Sequence, residues 1–239
     1  MNDDLTLALA LADAADAITM RSFRSTFAVR TKADRSPVTE VDEAVERAIR
    51  DALERERPED GIIGEELGVA AAAPGRRNWI IDPIDGTKNF VRGVPVFGTL
   101  IALDGEVGVV SAPALHRRWW AARGEGAFCN GARIRVSVVS SIENAMIASI
   151  DVSYAALVRA CAHVRGFGDF WSHMLVAEGA AEIGIDPVVS HWDMAAVQVI
   201  VEEAGGRFTD YAGRARPDGG SGVSTNGLLH EEVLRWLKK

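Results

Sequence analysis

The string Trp79-Ile80-Ile81-Asp82-Pro83-Ile84-Asp85-Gly86-Thr87 constrains this chain more than any other stretch. An apolar run ends in two carboxylates three residues apart, followed by a Gly-Thr turn. Residues 79–81 read as a buried β-strand. Asp82 and Asp85 then lie at its C-terminal end, where an α/β sheet presents its chemistry. Pro83 stiffens the step between them and supplies no N–H. Two acids held this close repel unless a cation lies between them, and a hard divalent ion such as Mg²⁺ takes oxygen ligands of this kind. The string points to metal-assisted phosphate chemistry.

A chain of 239 residues is long enough for one large domain or two small ones. The formal net charge of −8 argues against a nucleic-acid backbone as the main partner. It leaves room for a small phosphorylated substrate, because bound metal reverses the local charge. Cys129 and Cys161 lack metal-ligand spacing and read as reduced thiols of a cytoplasmic protein. The acidic start Asn2-Asp3-Asp4 is no signal peptide. Residues 5–18 are apolar but carry Asp13 and Asp16, so they are too polar and short to span a bilayer. No membrane partner is expected.

Asp3 or Asp4 is expected to cap a first helix running to about Phe23. Residues 27–32 alternate like an edge strand, Ser36-Pro37 reads as a turn, and Thr39 caps a second helix. There Val41, Val45, Ile49 and Leu53 form one apolar face, and Pro58 and Gly61 end it. Ile62-Ile63 is a short strand, and residues 70–75 a surface loop. Asp104-Gly105 marks a hairpin between 99–103 and 106–111. Residues 119–122 and 127–129 make a second pair, and Asn130-Gly131 another tight turn. Polar residues 137–141 divide the chain into an α+β part, 1–137, and an α/β part, 138–239. In the latter, strands are expected at 145–150, 181–185, 207–210 and 221–225. Helices are expected at 154–164, 170–178, 194–204 and 230–238.

Three further acidic positions share the setting of Asp82 and Asp85. Glu65 and Glu66 follow a strand and a glycine, Asp193 opens a helix after Trp192, and Asp42 lies in a first helical turn. Each has a bland alternative: a solvated loop for the Glu pair, a helix cap for the Asp residues, and a cap at Thr87 for Asp85. Taken jointly, Gly64-Glu65-Glu66, the string 79–90 and Trp192-Asp193-Met194-Ala195-Ala196 resemble the three signatures of the inositol monophosphatase family. Thr39-Glu40-Val41-Asp42 resembles its Thr-x-x-Asp. The family consists of Mg²⁺-dependent, lithium-sensitive phosphomonoesterases.

The resemblance implies an α-β-α-β-α layered sandwich, a homodimer and two or three Mg²⁺ ions per site. It places Glu65, Asp82, the Ile84 carbonyl, Asp85 and Asp193 as metal ligands, with Glu66 in support. Asp42 and Thr87, with Glu65, would orient and deprotonate the attacking water. Gly86 and Thr87 would offer backbone N–H groups to phosphate, with Lys88 beside them.

Lys88 stands where inositol-specific members commonly have a second Thr. Phe167-Gly168-Asp169-Phe170 departs further from that pattern, because a carboxylate there favours a cationic leaving alcohol. Asp186 matches a family position on the far side of the substrate. Residues 82–93, Gly168-Asp169-Phe170 and Trp119-Trp120-Ala121-Ala122-Arg123-Gly124 resemble the histidinol-phosphate phosphatase branch. The alternatives are an inositol or small sugar phosphate, and, in a different class, a non-catalytic metal- or phosphate-binding regulator. Asp169 read blandly caps its helix. His173 and His191 are open between a substrate contact and a local hydrogen bond. Trp119 and Trp120 divide into one core and one exposed ring. Arg117-Arg118 reads as a solvated strand end.

Overall fold

The computed structural model describes every residue except 1, 34, 150, 167 and 239. Helix α1 (Asp3–Ser22) is followed by an antiparallel ribbon, β1 (Val29–Thr31) and β2 (Pro37–Thr39), which feeds α2 (Glu40–Glu56). Then come β3 (Gly61–Gly64), β4 (Gly68–Ala70), β5 (Asn78–Asp85) and the short α3 (Thr87–Val91). A meander of β6 (Gly98–Leu103), β7 (Val107–Ala112), β8 (Arg117–Ala122), β9 (Gly126–Cys129) and β10 (Ala132–Arg133) completes the first half. The second half runs β11 (Met146–Ile147), α4 (Ala155–Ala160), β12 (His163–Val164), α5 (Asp169–Ala177) and β13 (Ile183–Asp186). It ends with α6 (His191–Glu203), β14 (Arg207–Thr209), β15 (Gly222–Thr225) and α7 (His230–Leu237).

Two sheets carry the fold. One has eight strands in the order β10-β9-β8-β7-β6-β5-β3-β4, the other five in the order β12-β11-β13-β15-β14. Strand residues alternate between faces, and β5 shows the consequence. Trp79 and Ile81 join Leu11 of α1 and Val45, Ile49 and Leu53 of α2 in one core. Ile80 faces the opposite side with Phe170 and Met174 of α5 and Val197 and Ile200 of α6. On the five-stranded sheet, Ile183, Ile185 and Val223 pack on Leu157 of α4 and Val233 of α7. The layers are therefore α-β-α-β-α, with α5 and α6 in the middle.

Several local expectations are corrected. Asn2 caps α1, its side chain accepting from Asp4 N at 2.9 Å. Asp3 and Asp4 instead sit in the first turn, where negative charge suits the helix dipole. Pro37 opens β2 rather than a turn, and Gly68–Ala70 folds back on β3 as a strand. The apolar run expected as one helix over 154–164 splits, because His163–Val164 adds a parallel edge to β11. Within the strand expected at 145–150, β11 covers two residues, and Ile150 lies outside the described residues. Arg117 and Arg118 are ion-paired to other layers, Arg117 to Glu178 and Arg118 to Asp13 and Asp16. Trp119 is fully buried, while Trp120 is half-buried and stacks on Phe128.

His230 ties β14 to β15. Thr209 Oγ1 donates its one proton to the Asp210 carbonyl at 2.8 Å, so it accepts from His230 Nε2 at 2.9 Å. Thr225 Oγ1 accepts from Gly227 N at 3.1 Å and donates to Nδ1 at 2.9 Å. The ring is held neutral: burial first, then the charge of Arg207, push its pKa from 6.5 down to about 4. The unfolded chain therefore takes up this proton first as pH falls. The stability His230 contributes is complete above pH 6.5 and is lost as pH drops toward about 4. In urea unfolding, the wild type should lose about 2–3 kcal/mol more than His230→Gln between pH 7 and pH 4.5. Identical pH dependence in the two proteins would refute this.

Candidate active site

The acidic string reaches its site through an irregularity in the sheet. In an unbroken strand, residues three apart point to opposite faces. Asp82 pairs with Leu100 and Asp85 with Gly98, so β5 bulges between them. Bulges re-aim side chains, and this one turns both carboxylates toward the same neighbours. Pro83, which has no N–H to give a ladder, sits inside the bulge. Its carbonyl accepts from Thr99 Oγ1 at 2.8 Å. Gly86 then adopts φ +80, a conformation that favours glycine, and starts α3 without a side-chain cap.

Other elements supply the remaining acids. Asp42 and Asp193 both occupy the third position of a capping box, with Thr39 and Ser190 as the caps. Asp42 Oδ2 accepts from Thr39 N at 2.9 Å, and its Oδ1 lies 3.3 Å from Thr87 Oγ1. The Thr87 hydroxyl also reaches the Ile84 carbonyl at 2.9 Å. Asp193 Oδ2 accepts from Ser190 N at 2.6 Å. Asp82 stands within hydrogen-bonding reach of Glu65 and Asp193. Asp85 Oδ2 accepts from Phe170 N at 2.6 Å, so an acid of β5 serves the start of α5.

Burial and mutual repulsion push these groups up. Asp82 is raised well above the carboxylate range by burial, then by Glu65, Asp85 and Asp193. Asp85 is raised by burial, then by Asp169 and Asp193. Asp193 is pushed to about 7, by burial first and then Glu65, against the Ser190 N–H. Glu66 is likewise raised to about 7 by burial, with Lys32 opposing.

Among the described residues, no three His, Cys, Asp or Glu side chains close into a compact metal cage. The acids instead lie close enough to repel one another without closing into a cage, which suits an ion that keeps several of its waters. The fit shows at Asp82, whose Oδ1 is buried without a hydrogen-bond partner. Buried polar atoms are ordinarily paired, and a cation is the partner that an orphaned carboxylate oxygen among other carboxylates calls for.

Two supporting residues carried no motif. Glu46, fully buried on α2, accepts from Glu66 N at 2.7 Å and Leu67 N at 3.1 Å, and Arg50 Nε donates to it at 2.9 Å. It pins the turn that carries Glu65. Lys32 Nζ lies 2.7 Å from Glu65 and 2.6 Å from Glu66. Glu46 was visible only as a polar residue on a helix with an apolar face.

Lys88, Gly86, Thr87, Glu65 and Asp169 line one cleft. Asp169 does not cap its helix: Gly168 holds that place, and no side chain bonds there. Asp186 faces an adjoining hollow with Gly168 and Tyr154. Asp169 is raised to about 6 by burial and then by Asp186, against Lys88 and His173. His173 is fully buried and hydrogen-bonded to Asp186 and Ser224. His191 is the first residue of α6, and burial lowers its pKa. Larger hollows, beside Arg118 and between α1 and α2, contain none of these residues. The site is marked by charge rather than by size.

Five layers with acids gathered at the ends of β3 and β5 and the starts of α2 and α6 define a phosphatase class. The pattern of the inositol monophosphatase family matches residues 1–239. A protein named histidinol-phosphatase from Mycobacterium tuberculosis is 53% identical, over 99% of this chain and 98% of its own length. One of the same name from Streptomyces coelicolor is 47% identical, over 99% and 97%. A solved structure described as an IMPase/NADP phosphatase complexed with Mg²⁺ and phosphate is 26% identical, with a TM-score of 0.87. It covers 97% of this chain and 93% of that one. The chain belongs to the inositol monophosphatase family, a family of metal-dependent phosphatases. Among the described residues, no helix is long and apolar enough to cross a membrane.

Proposed function

We propose that this protein hydrolyses L-histidinol phosphate to L-histidinol and phosphate, with Mg²⁺, in histidine biosynthesis. One observation carries the substrate: Asp169 and Asp186 stand close enough to repel each other beside the acid-rich cleft. Two carboxylates there suit an alcohol bearing an amine and an imidazole. They have nothing to recommend them for a neutral sugar. The names of the relatives at 53% and 47% identity support the same substrate.

In this reading Glu65, Asp82, the Ile84 carbonyl, Asp85 and Asp193 hold two or three Mg²⁺, and Glu66 supports them. Mg²⁺ there supplies charge to the phosphoryl oxygens and acidifies water. Asp42 and Thr87, linked through their side-chain oxygens, orient the attacking water and take its proton, with Glu65 beside them. Gly86, Thr87 and Lys88 receive the phosphate. Asp169 and Asp186 receive the cationic alcohol. A cytoplasmic homodimer, with residues 1–137 carrying most metal ligands and 138–239 setting specificity, belongs to the same proposal.

The test is phosphate release with Mg²⁺ across histidinol phosphate, inositol 1-phosphate and glycerol 2-phosphate. Histidinol phosphate should be turned over with the highest kcat/KM. Faster turnover of inositol 1-phosphate would reassign the substrate, and no Mg²⁺-dependent turnover of any ester would favour a non-catalytic binder.

A further inference from the structure

We propose that His173 is a positioning residue for substrate choice, because it aims the Asp186 carboxylate at the leaving-group side of the cleft. The inference rests on the reading of Asp186 given under Proposed function.

His173 projects from α5 between two strands of the five-stranded sheet. Its Nε2 lies 2.9 Å from Asp186 Oδ2 on β13, and its Nδ1 2.7 Å from Ser224 Oγ on β15. An ionised carboxylate can only accept, so Nε2 carries the proton. Nδ1 meets the Ser224 hydroxyl, which holds the ring from its other side. Ser224, the imidazole and Asp186 thus form one hydrogen-bonded chain across the sheet.

The surroundings fix this arrangement. The His173 side chain is fully buried, while that of Asp186 is 18% exposed. Phe208 walls one side of the ring, with centroids 6.5 Å apart. Gly184, on β13, lets α5 press directly on the strand: a Cβ there would stand 3.0 Å from Ser172 O and 3.3 Å from His173 N. A Cβ at that position would require the α5 backbone beside His173 to give by a few tenths of an ångström. With Oδ2 held by the imidazole, Asp186 Oδ1 is the oxygen presented to Gly168, 3.9 Å from where a Cβ would stand there. Gly168 immediately precedes Asp169 at the mouth of the site. Partners that orient metal ligands from behind typically matter about ten- to a hundredfold, and an imidazole behind a substrate-facing carboxylate plays the same part.

The experiment measures kcat and KM for histidinol phosphate and for glycerol 2-phosphate, whose alcohol is neutral. His173→Leu should raise KM for histidinol phosphate about tenfold or more. The KM for glycerol 2-phosphate should move far less. His173→Gln, which keeps an N–H donor, should recover most of the loss. Equal changes on both esters, or a Gln variant no better than Leu, would reduce His173 to a packing residue. Should His173→Leu fail to fold, Ser224→Ala carries the test, because it deletes only the hydroxyl that meets Nδ1. A selective KM rise for histidinol phosphate supports the relay, and its absence overturns it. Asp186→Asn separates the two levels. If that variant keeps the wild-type preference, the reading of Asp186 falls. If it loses the preference while His173→Leu keeps it, only the role of His173 falls.

Discussion

Asp82→Asn is expected to cut kcat/KM at least about a hundredfold and, in the same protein freed of metal, to raise the melting temperature. The two effects have one cause. Asp82 is 1% exposed, and Glu65, Asp85 and Asp193 all repel its charge. Without a cation, ionising Asp82 costs folding energy, and an amide of the same shape removes that cost. For a chain of this length, each kcal/mol relieved is worth about 2–4 °C. With a cation, the same carboxylate is an asset, and its Oδ1 has no other partner. Mg²⁺ should therefore raise the melting temperature of the wild type and do much less for the variant. Thermal unfolding in EDTA and in Mg²⁺, beside phosphate release, reads all three effects. A metal-free melting temperature that fell together with activity would make Asp82 a structural acid and would remove the central metal ligand from the proposal.

That inversion explains which parts of the protein were legible in the sequence. The Val41, Val45, Ile49 and Leu53 stripe and the Asp104-Gly105 hairpin follow local rules, and both stand as expected. Local rules failed where one residue answers to two demands. Asp42 and Asp193 invited a choice between cap and functional acid. In the structure one oxygen of each bonds the cap residue's N–H, and a carboxylate has a second oxygen to spend. The bulge at Pro83 was not legible either, although Asp82 and Asp85 need it to face the same way. Proline marked a stiff step, but register is set by pairing with β6, a strand further along the chain. Glu46 and Lys32 escaped for a related reason. They act on Glu65 and Glu66 across the fold, and no spacing in the sequence links them.

Asp169→Asn should separate the chemistry of the phosphate from recognition of the alcohol. Asp169 has φ +54, in the left-handed region that Asn tolerates and most other side chains resist. An amide therefore preserves the backbone, whereas Ala would add strain and blur the result. The helix does not need this carboxylate either, since Phe170 N is bonded to Asp85 Oδ2 at 2.6 Å. Only the charge changes. Hydrogen bonds to charged groups are worth about 1.5–3 kcal/mol, so kcat/KM for histidinol phosphate should fall about ten- to a hundredfold. Glycerol 2-phosphate should lose little, because a carboxylate near the phosphate cleft gives that substrate nothing to bind. The pH dependence carries a second signature. Burial and Asp186 raise Asp169 to about 6, so the charge that attracts a cation is present above that pH and fades below it. The wild type should show a limb near pH 6 in which histidinol phosphate binds more tightly as pH rises. The imidazole of the substrate titrates nearby, but it does so equally in both proteins, and the difference between their profiles isolates Asp169. Matching losses on both esters, or a limb that persists in the Asn variant, would leave Asp169 without a role in recognising an amine. The alcohol would then have to be read by some other wall of the cleft.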